Sequence, residues 1–150
     1  METNGIGTNV VTQIGLVVHD IEKSIDAYVA VLGLPRPEVI ITDGYDAAQT
    51  TYRGKPSYAQ ARLAFFDMGQ VQIELIEPIG EPSTWKEFLD AKGDGVHHIA
   101  FQIQDTSKVV AYLEGNGIPL VQQGQYTGGM YSYLDASNSL GVVLELLENF

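Results

Sequence analysis

The stretches Gln13-Ile-Gly-Leu-Val-Val-His-Asp20 and His98-Ile-Ala-Phe-Gln-Ile-Gln-Asp105 are two copies of one pattern. In each copy apolar residues alternate with other residues, and an Asp follows. This pattern predicts a β-strand and then a helix that is capped by the Asp. The first helix carries an apolar stripe that ends at Gly33. The chain is therefore predicted to be an internal duplication in which each half begins with a strand and a helix.

Each half also ends with an apolar strand that carries one carboxylate. These strands are Val71-Gln-Ile-Glu-Leu-Ile76 and Val142-Val-Leu-Glu-Leu-Leu147. Two further strands per half are predicted between the helix and this strand, at about residues 37–42, 58–67, 118–123 and 130–135. The predicted fold class is α+β, with two paired βαβββ modules that form an open, curved, eight-stranded, barrel-like cleft.

A linker with two prolines joins the halves. It continues into a short helix, for which Thr84 and Glu87 are predicted to form a capping box. We expect module one at about residues 10–78, the linker helix at about 83–92 and module two at about 95–148, all within a single domain of residues 1–150. One half alone would have a marginal core, which favours pairing of the two sheets.

Composition excludes several classes of protein. The chain has 150 residues, is 45% hydrophobic and 18% charged, and contains no cysteine. These values are typical of a globular protein and exclude disulfides and thiolate metal sites. No stretch approaches the roughly 20 apolar residues of a membrane span. A formal charge of −11 disfavours nucleic acid as a partner. The first nine residues show no secretory signal, so we expect a cytoplasmic protein.

Basic residues are concentrated in one region of this acidic chain. Arg53, Lys55 and Arg62 are three of only eight lysines and arginines. Such a group is suited to an anionic part of a substrate. Short charged segments also commonly face water, so both interpretations stay open at this point.

Four polar side chains occupy related positions in the two halves. Gln13 aligns with His98 on the opening strands, and Glu74 and Glu145 lie on the closing strands. Taken singly, a strand histidine is commonly structural and a strand glutamate commonly lies on a wet sheet face. Two neighbouring carboxylates, however, strongly raise one pKa unless a cation lies between them. The set suits an open site for Zn, Mn, Co, Ni or Mg.

Three segments also carry a family resemblance: Gly95-Val-His-His-Ile-Ala-Phe101, Ile73-Glu-Leu-Ile-Glu-Pro78 and Gly141-Val-Val-Leu-Glu-Leu146. With the paired repeats, they resemble the vicinal oxygen chelate superfamily, which includes glyoxalase I, bleomycin-resistance proteins, extradiol dioxygenases and methylmalonyl-CoA epimerase. The resemblance covers about residues 10–148, and the sequences of these segments are most similar to those of the epimerases. It implies a divalent metal ion (Zn, Co, Ni, Mn or Mg) held by Gln13, Glu74, His98 and Glu145. The alternation places His97 on the helix side, as a structural residue.

The chain departs from the epimerase pattern at two positions. The epimerases usually have a histidine where this chain has Gln13, although glyoxalase I enzymes can use glutamine there. Their second carboxylate base aligns near Arg62, which counts against a two-base epimerisation. The missing first histidine also makes an iron dioxygenase the least favoured activity.

The resemblance implies an enzyme whose metal ion chelates two oxygens of a small substrate and stabilises an enolate. Glu145 is the predicted base, and Arg53, Lys55 and Arg62 are the predicted substrate-binding residues. We expect a methylmalonyl-CoA epimerase-like isomerase that acts on an acyl-CoA or a thiol adduct and forms a homodimer. One alternative is a glyoxalase I-like lactoylglutathione lyase. The other is a non-catalytic protein that sequesters a drug-like ligand against Tyr45, Tyr52, Tyr58, Tyr126, Tyr131 and Tyr133.

Overall fold

The structure is a computed structural model that describes residues 5–150. In this part of the chain, ten strands form one sheet and five helices accompany it. The strands are β1 (Gln13–Val17), β2 (Ile40–Ile41), β3 (Thr51–Tyr52), β4 (Lys55–Pro56), β5 (Gln60–Asp67), β6 (Gln72–Ile79), β7 (Gly95–Gln102), β8 (Leu120–Tyr126), β9 (Gly129–Ala136) and β10 (Val142–Asn149). The helices are α1 (Ile21–Leu32), α2 (Tyr45–Ala48), α3 (Thr84–Lys92), α4 (Thr106–Gly115) and α5 (Ser137–Leu140).

The two halves meet at the centre of the sheet. The strand order is β2-β5-β6-β1-β7-β10-β9-β8-β3-β4. The opening strands β1 and β7 pair antiparallel, and each pairs in parallel with the closing strand of its own half, β6 or β10. The sheet curls into an open half-barrel. The α+β class is confirmed. The second half has the predicted order of strand, helix and three strands, whereas the first half has two further strands, β3 and β4, between β2 and β5.

The predicted count of eight strands is wrong, because residues 5–150 contain ten. The additional strands, β3 and β4, lie in residues 42–59, which we call the crossing segment. This segment leaves the first half after β2, and β3 pairs with β8 of the second half before the chain returns to β5. Strands of two residues carry no readable alternation, so sequence pattern could not reveal them.

The predicted helix starts of the duplication are confirmed. Asp20 accepts a hydrogen bond from the Lys23 amide, and Asp105 accepts one from the Lys108 amide. Gly33 ends α1 with a φ of 67°, a conformation that only glycine adopts without strain. Both helices therefore begin directly after an opening strand.

The linker helix begins with a different cap from the predicted one. Ser83, not Thr84, is the N-cap, and its hydroxyl accepts a hydrogen bond from the Lys86 amide. Either hydroxyl could cap a helix, and the sequence alone favoured the one spaced three residues from Glu87. With the cap supplied by Ser83, the Thr84 hydroxyl is left to contact His97.

The core consists of three apolar clusters. One lies against α1, one lies against α4, and the third joins the halves around Trp85, Ile76 and Tyr133. None of the helices in residues 5–150 is long and apolar enough to cross a membrane. The prediction that the chain has no secretory signal concerns its first nine residues. Of these, residues 1–4 lie outside the described residues.

Candidate metal centre

The register of the four central strands brings the predicted ligands together. Gly15 of β1 lies opposite Glu74 on one side and His98 on the other. Ala100 of β7 lies between Gln13 and Glu145 in the same way. These two sets of facing residues lie next to each other along β1 and β7. The four polar side chains therefore converge where the two halves meet.

The side chains meet around one nitrogen atom. His98 Nε2 lies 2.9 Å from Gln13 Oε1, 3.2 Å from Glu145 Oε1 and 3.5 Å from Glu74 Oε1. Gln13, Glu74, His98 and Glu145 are all buried, and none is more than 7% exposed. The structure thus brings together all four residues that the sequence predicted as ligands.

Burial and mutual repulsion shape the protonation of this group. Burial and the adjacent Glu145 raise the pKa of Glu74 to about 8, although His98 acts in the opposite direction. Burial also lowers the pKa of His98, but the two carboxylates outweigh it, so the net shift of the His98 pKa is upward. The metal-free group is therefore a proton-binding site, and a cation can replace those protons.

The amide of Gln13 tests whether a cation fits here. Gln13 Nε2 donates to Gln72 Oε1 at 2.7 Å, which turns Gln13 Oε1 inward. That oxygen lies 2.9 Å from Glu145 Oε1 and 3.3 Å from Glu74 Oε1. Three oxygens that face one another attract a cation, whereas without one the reversed amide would donate to both carboxylates. The atom positions are the same in either amide orientation, so what supports a divalent ion is the donor set itself: one amide, one imidazole and two carboxylates around one point.

Gly15 gives His98 its space. A Cβ atom at this position would lie 2.1 Å from Cε1 of the His98 ring. Real side chains do not approach so closely, so only glycine permits this ring position. Gly15 is part of the site although it offers no ligand.

The structure gives His97 a contact that the sequence did not predict. Its ring packs edge-on against Phe88 of α3, on the helix side as expected. Its Nδ1 also lies 2.9 Å from His98 Nδ1, and its Nε2 lies 3.2 Å from Thr84 Oγ1. Burial holds the pKa of His97 well below its usual range, so Nδ1 of a neutral His97 can accept a hydrogen bond from the Nδ1–H of His98. His97 thereby orients His98 with Nε2 toward the carboxylates.

A cavity of about 430 Å³ opens beside the four side chains. Gln13, Glu74 and Glu145 form its buried end. Most of its wall is apolar or aromatic, from Ile40, Ala48, Ala59, Leu63, Phe65, Trp85, Tyr126, Tyr131, Tyr133 and Leu147. Its size is typical of a site for a small organic molecule.

Only three of the six tyrosines predicted to face a ligand line this cavity: Tyr126, Tyr131 and Tyr133. Tyr45 and Tyr58 pack on each other, with ring centroids 5.0 Å apart. Tyr52 donates a hydrogen bond to Glu87 of α3. Those three rings therefore serve other contacts in the structure.

The structure does not bring the three basic residues of the sequence analysis to the cavity. Arg53 forms an ion pair with Glu87 at 3.2 Å, and Arg62 forms one with Glu77 at 2.6 Å. Lys55 lies exposed on the edge strand β4. Their binding of a substrate stays a prediction.

Strand β5 faces the cavity with Leu63 and Phe65, which carry no acid. Arg62 lies on the opposite face of this strand, because successive side chains alternate. An acidic residue that the sequence did not single out, Asp43, lines the cavity instead. It is exposed, so it belongs to the rim. No local pattern marked it, because it lies in a loop directly before α2.

Comparisons with known proteins agree with this geometry. Residues 12–133 match the family model described as the Glyoxalase/Bleomycin resistance protein/Dioxygenase superfamily. The uncharacterized protein YqjC of Bacillus subtilis (strain 168) is 34% identical over 93 residues, which are 59% of this chain and 66% of YqjC. The chain thus matches slightly less than two thirds of that curated relative.

Two solved structures share the architecture. Methylmalonyl-CoA epimerase from Mycobacterium tuberculosis is 24% identical, with a TM-score of 0.66 over 100% of this chain and 93% of that one. A variant of the Streptomyces coelicolor methylmalonyl-CoA epimerase in complex with 2-nitronate-propionyl-CoA is 25% identical. Its TM-score is 0.63, and the match covers 94% of each chain. At 24% identity, the similarity to the Mycobacterium tuberculosis enzyme shows a shared fold and no more.

Proposed function

The chain belongs to the glyoxalase/bleomycin resistance protein/dioxygenase superfamily, and from this premise we propose that it is a divalent-metal-dependent enzyme with methylmalonyl-CoA epimerase-like isomerase chemistry. The observation that carries the proposal is the convergence of Gln13, Glu74, His98 and Glu145 at the buried end of a cavity. This donor set and its burial support a divalent ion and a substrate beside it.

Each residue of the group has a proposed role. Gln13, Glu74, His98 and Glu145 would hold the ion, which when bound supplies a Lewis acid for two neighbouring oxygens of a substrate. Glu145 lines the cavity, so its carboxylate can accept a proton from the substrate α carbon. The apolar wall excludes water from that carboxylate and thereby strengthens its interactions with developing charge.

The proposed chemistry uses one base. The cavity face of β5 carries Leu63 and Phe65, so this strand offers no second carboxylate opposite Glu145. A single base that exchanges its proton with water returns solvent hydrogen to the substrate. Exchange of the α proton with solvent is therefore the expected signature. Epimerisation requires in addition that the opposite face of the enolate receives a proton, which a water molecule would have to supply because β5 offers no acid there.

Metal content is the first test. Protein purified without chelators or metal-affinity chromatography should contain about one divalent ion per chain by elemental analysis. Glu74→Ala and His98→Ala should abolish loading, whereas the exposed Glu38→Gln is a matched control that should leave it intact. A metal-free protein whose stability is unchanged by added Zn, Mn, Co or Ni would contradict the proposal.

Proton exchange is the second test. In deuterium oxide, metal-loaded protein should exchange the α proton of a 2-substituted acyl-CoA or of a hemithioacetal. Glu145→Gln should stop this exchange while Glu38→Gln keeps it. Exchange with the thioester alone supports the epimerase-like assignment, whereas turnover of the hemithioacetal supports the glyoxalase I-like alternative. A broad screen without exchange would count against catalysis.

Arg53, Lys55 and Arg62 have a proposed role outside the cavity. Arg53 and Lys55 lie on the crossing segment but are not among the residues that line the cavity. If the substrate is a CoA thioester, these side chains and Arg62 are the proposed contacts for its phosphates. Charge reversal at all three should then raise the KM for the thioester, and an unchanged KM would remove them from the site.

One observation favours a second candidate, a protein that sequesters a ligand without reaction. Trp85, Tyr131 and Tyr133 form a continuous aromatic wall, with ring centroids 5.1 to 6.3 Å apart. Such a wall suits a flat ligand. Metal-free protein that binds aromatic compounds tightly and shows no exchange would favour this candidate.

A further inference from the structure

The charges around the cavity are all of one sign. Its lining includes the carboxylates of Asp43, Glu74 and Glu145, and none of the lining residues within the described chain is a lysine or arginine. A divalent ion at the buried end would offset Glu74 and Glu145 but would leave Asp43 at the rim. The cavity thus offers no protein cation to a negatively charged group.

Half of the eight basic residues are paired with carboxylates elsewhere, and none of the eight lines the cavity. Arg53 and Arg62 pair with carboxylates, as described above, and Lys86 pairs with Asp90 at 2.7 Å. Arg36 is held between Glu22 and Asp26. Within residues 5–150, Asp43 has no such ion pair. Its negative charge is therefore available to a ligand that enters the cavity.

The backbone fixes Asp43 at the rim. The preceding residue, Thr42, is tied to β5 by three hydrogen bonds: its amide donates to the Ala61 carbonyl, its hydroxyl accepts from the Ala61 amide, and its carbonyl accepts from the Gln60 side chain. Helix α2 begins just after Asp43. A charge anchored on both sides keeps its place relative to the cavity.

We propose that the part of the ligand held in this cavity is uncharged, with an apolar or aromatic body, and that Asp43 determines this specificity by repelling ligands with a carboxylate. The substrate class rests on the proposed function, because the ligand is taken to present its oxygen pair to the metal site. An acyl thioester would fit when its acyl part carries a neutral second oxygen next to the thioester carbonyl and its phosphates stay outside the cavity. A dicarboxylic acyl group would not fit, so the likeness to the epimerases would concern the chemistry and not the acyl group.

Two probes with the same chelating group test the proposal in zinc-loaded protein. Trp85, the single tryptophan, lines the cavity and reports binding by fluorescence. Benzohydroxamic acid should bind at least tenfold more tightly than 4-carboxybenzohydroxamic acid. Added salt should reduce this preference, because Asp43 is exposed. Equal affinities, or tighter binding of the carboxylated probe, would overturn the proposal.

Charge reversal locates the effect. Asp43→Lys should reduce the preference for the neutral probe at least threefold. Asp46→Lys changes the net charge equally on an exposed residue of α2 that does not line the cavity, and it should leave the preference unchanged. If both variants act alike, the preference reflects overall charge, and the role of Asp43 is refuted.

A second pair separates this inference from the proposed function. 2-Naphthamide and 2-naphthoate have the same shape but differ in charge, and neither needs a metal ion to enter an apolar cavity. In metal-free protein the amide should bind at least tenfold more tightly. If the amide binds more tightly but the protein never loads metal, the proposed function is refuted and the cavity specificity stands. Equal affinities, or binding of neither compound, would refute the specificity.

Discussion

Metal-free Glu74→Gln should lose most of the pH dependence of stability that the wild-type protein shows. Burial and the neighbouring Glu145 raise the pKa of Glu74 from 4.5 to about 8 in the folded protein. The folded state therefore holds this proton more tightly than the unfolded chain does. Its contribution to stability is fully present below the unfolded pKa and is lost as pH rises through the folded pKa.

The size of the effect follows from the two pKa values. One unit of pKa difference corresponds to about 1.4 kcal/mol. Between about pH 6.5 and 8.5 the unfolded chain is already deprotonated at this residue, so the metal-free protein should lose about 2 kcal/mol of unfolding free energy. The raised pKa of His98 acts with the same sign. Burial lowers the pKa of His97, which acts with the opposite sign but only below about pH 6.5.

Urea unfolding in the presence of a chelator, followed by Trp85 fluorescence, measures this loss. Glu74→Gln keeps the shape of the side chain but cannot ionise, so its stability should fall much less than that of wild type over the same range, with the remaining fall due to His98. The exposed Glu38→Gln should fall like wild type. With saturating zinc the slope should reverse, because metal binding requires deprotonated ligands. A flat or rising curve for metal-free wild type, or an equally steep fall in Glu74→Gln, would refute the reasoning.

Substitutions at three other positions probe the same site. Gly15→Ala should lower zinc affinity at least tenfold in a chelator competition, because its Cβ would occupy the place of the His98 ring, whereas unchanged affinity would mean that the ring has room to move. Gln13→His should keep or raise the affinity for Zn, Co or Ni and Gln13→Ala should lower it; equal affinity in all three proteins would remove Gln13 from the ligand set. His97→Phe should weaken zinc binding by about 10- to 100-fold, because it removes the acceptor for His98 Nδ1, and His97→Asn should restore part of the affinity. Equally weak binding by the Phe and Asn variants would contradict this positioning role.

The sequence predicted the centre of the fold because its signals are local and repeated. Two copies of an alternating strand that ends in a capping Asp predict the same structure twice, and the closing strands carry the same alternation. The repeat and the family resemblance then indicated Gln13, Glu74, His98 and Glu145 as one set of ligands, and the structure brings them together. A duplication thus turns four weak local signals into one spatial prediction.

What the sequence could not predict depends on contacts between distant segments. The pairing of β3 with β8 depends on β3, a strand of two residues that has no periodicity of its own. The ion pairs of Arg53 and Arg62 form with carboxylates on other elements, so a basic stretch in the sequence becomes separate surface contacts. The place of Asp43 on the rim and the bond from His97 to His98 likewise follow from tertiary structure.

The crossing segment has a consequence for the dynamics of the protein. It belongs to the first half in sequence, yet within residues 5–150 its backbone hydrogen bonds to the second half are those of β3 and of the Arg53 amide, which donates to the Val121 carbonyl at 2.8 Å. A contact between distant parts of the chain with few bonds forms late in folding and opens readily. Amides of this segment should therefore exchange with solvent deuterium faster than those of β1, β6, β7 and β10. Because the segment also supplies cavity wall residues such as Thr50, a bound ligand should slow exchange there more than at the centre of the sheet.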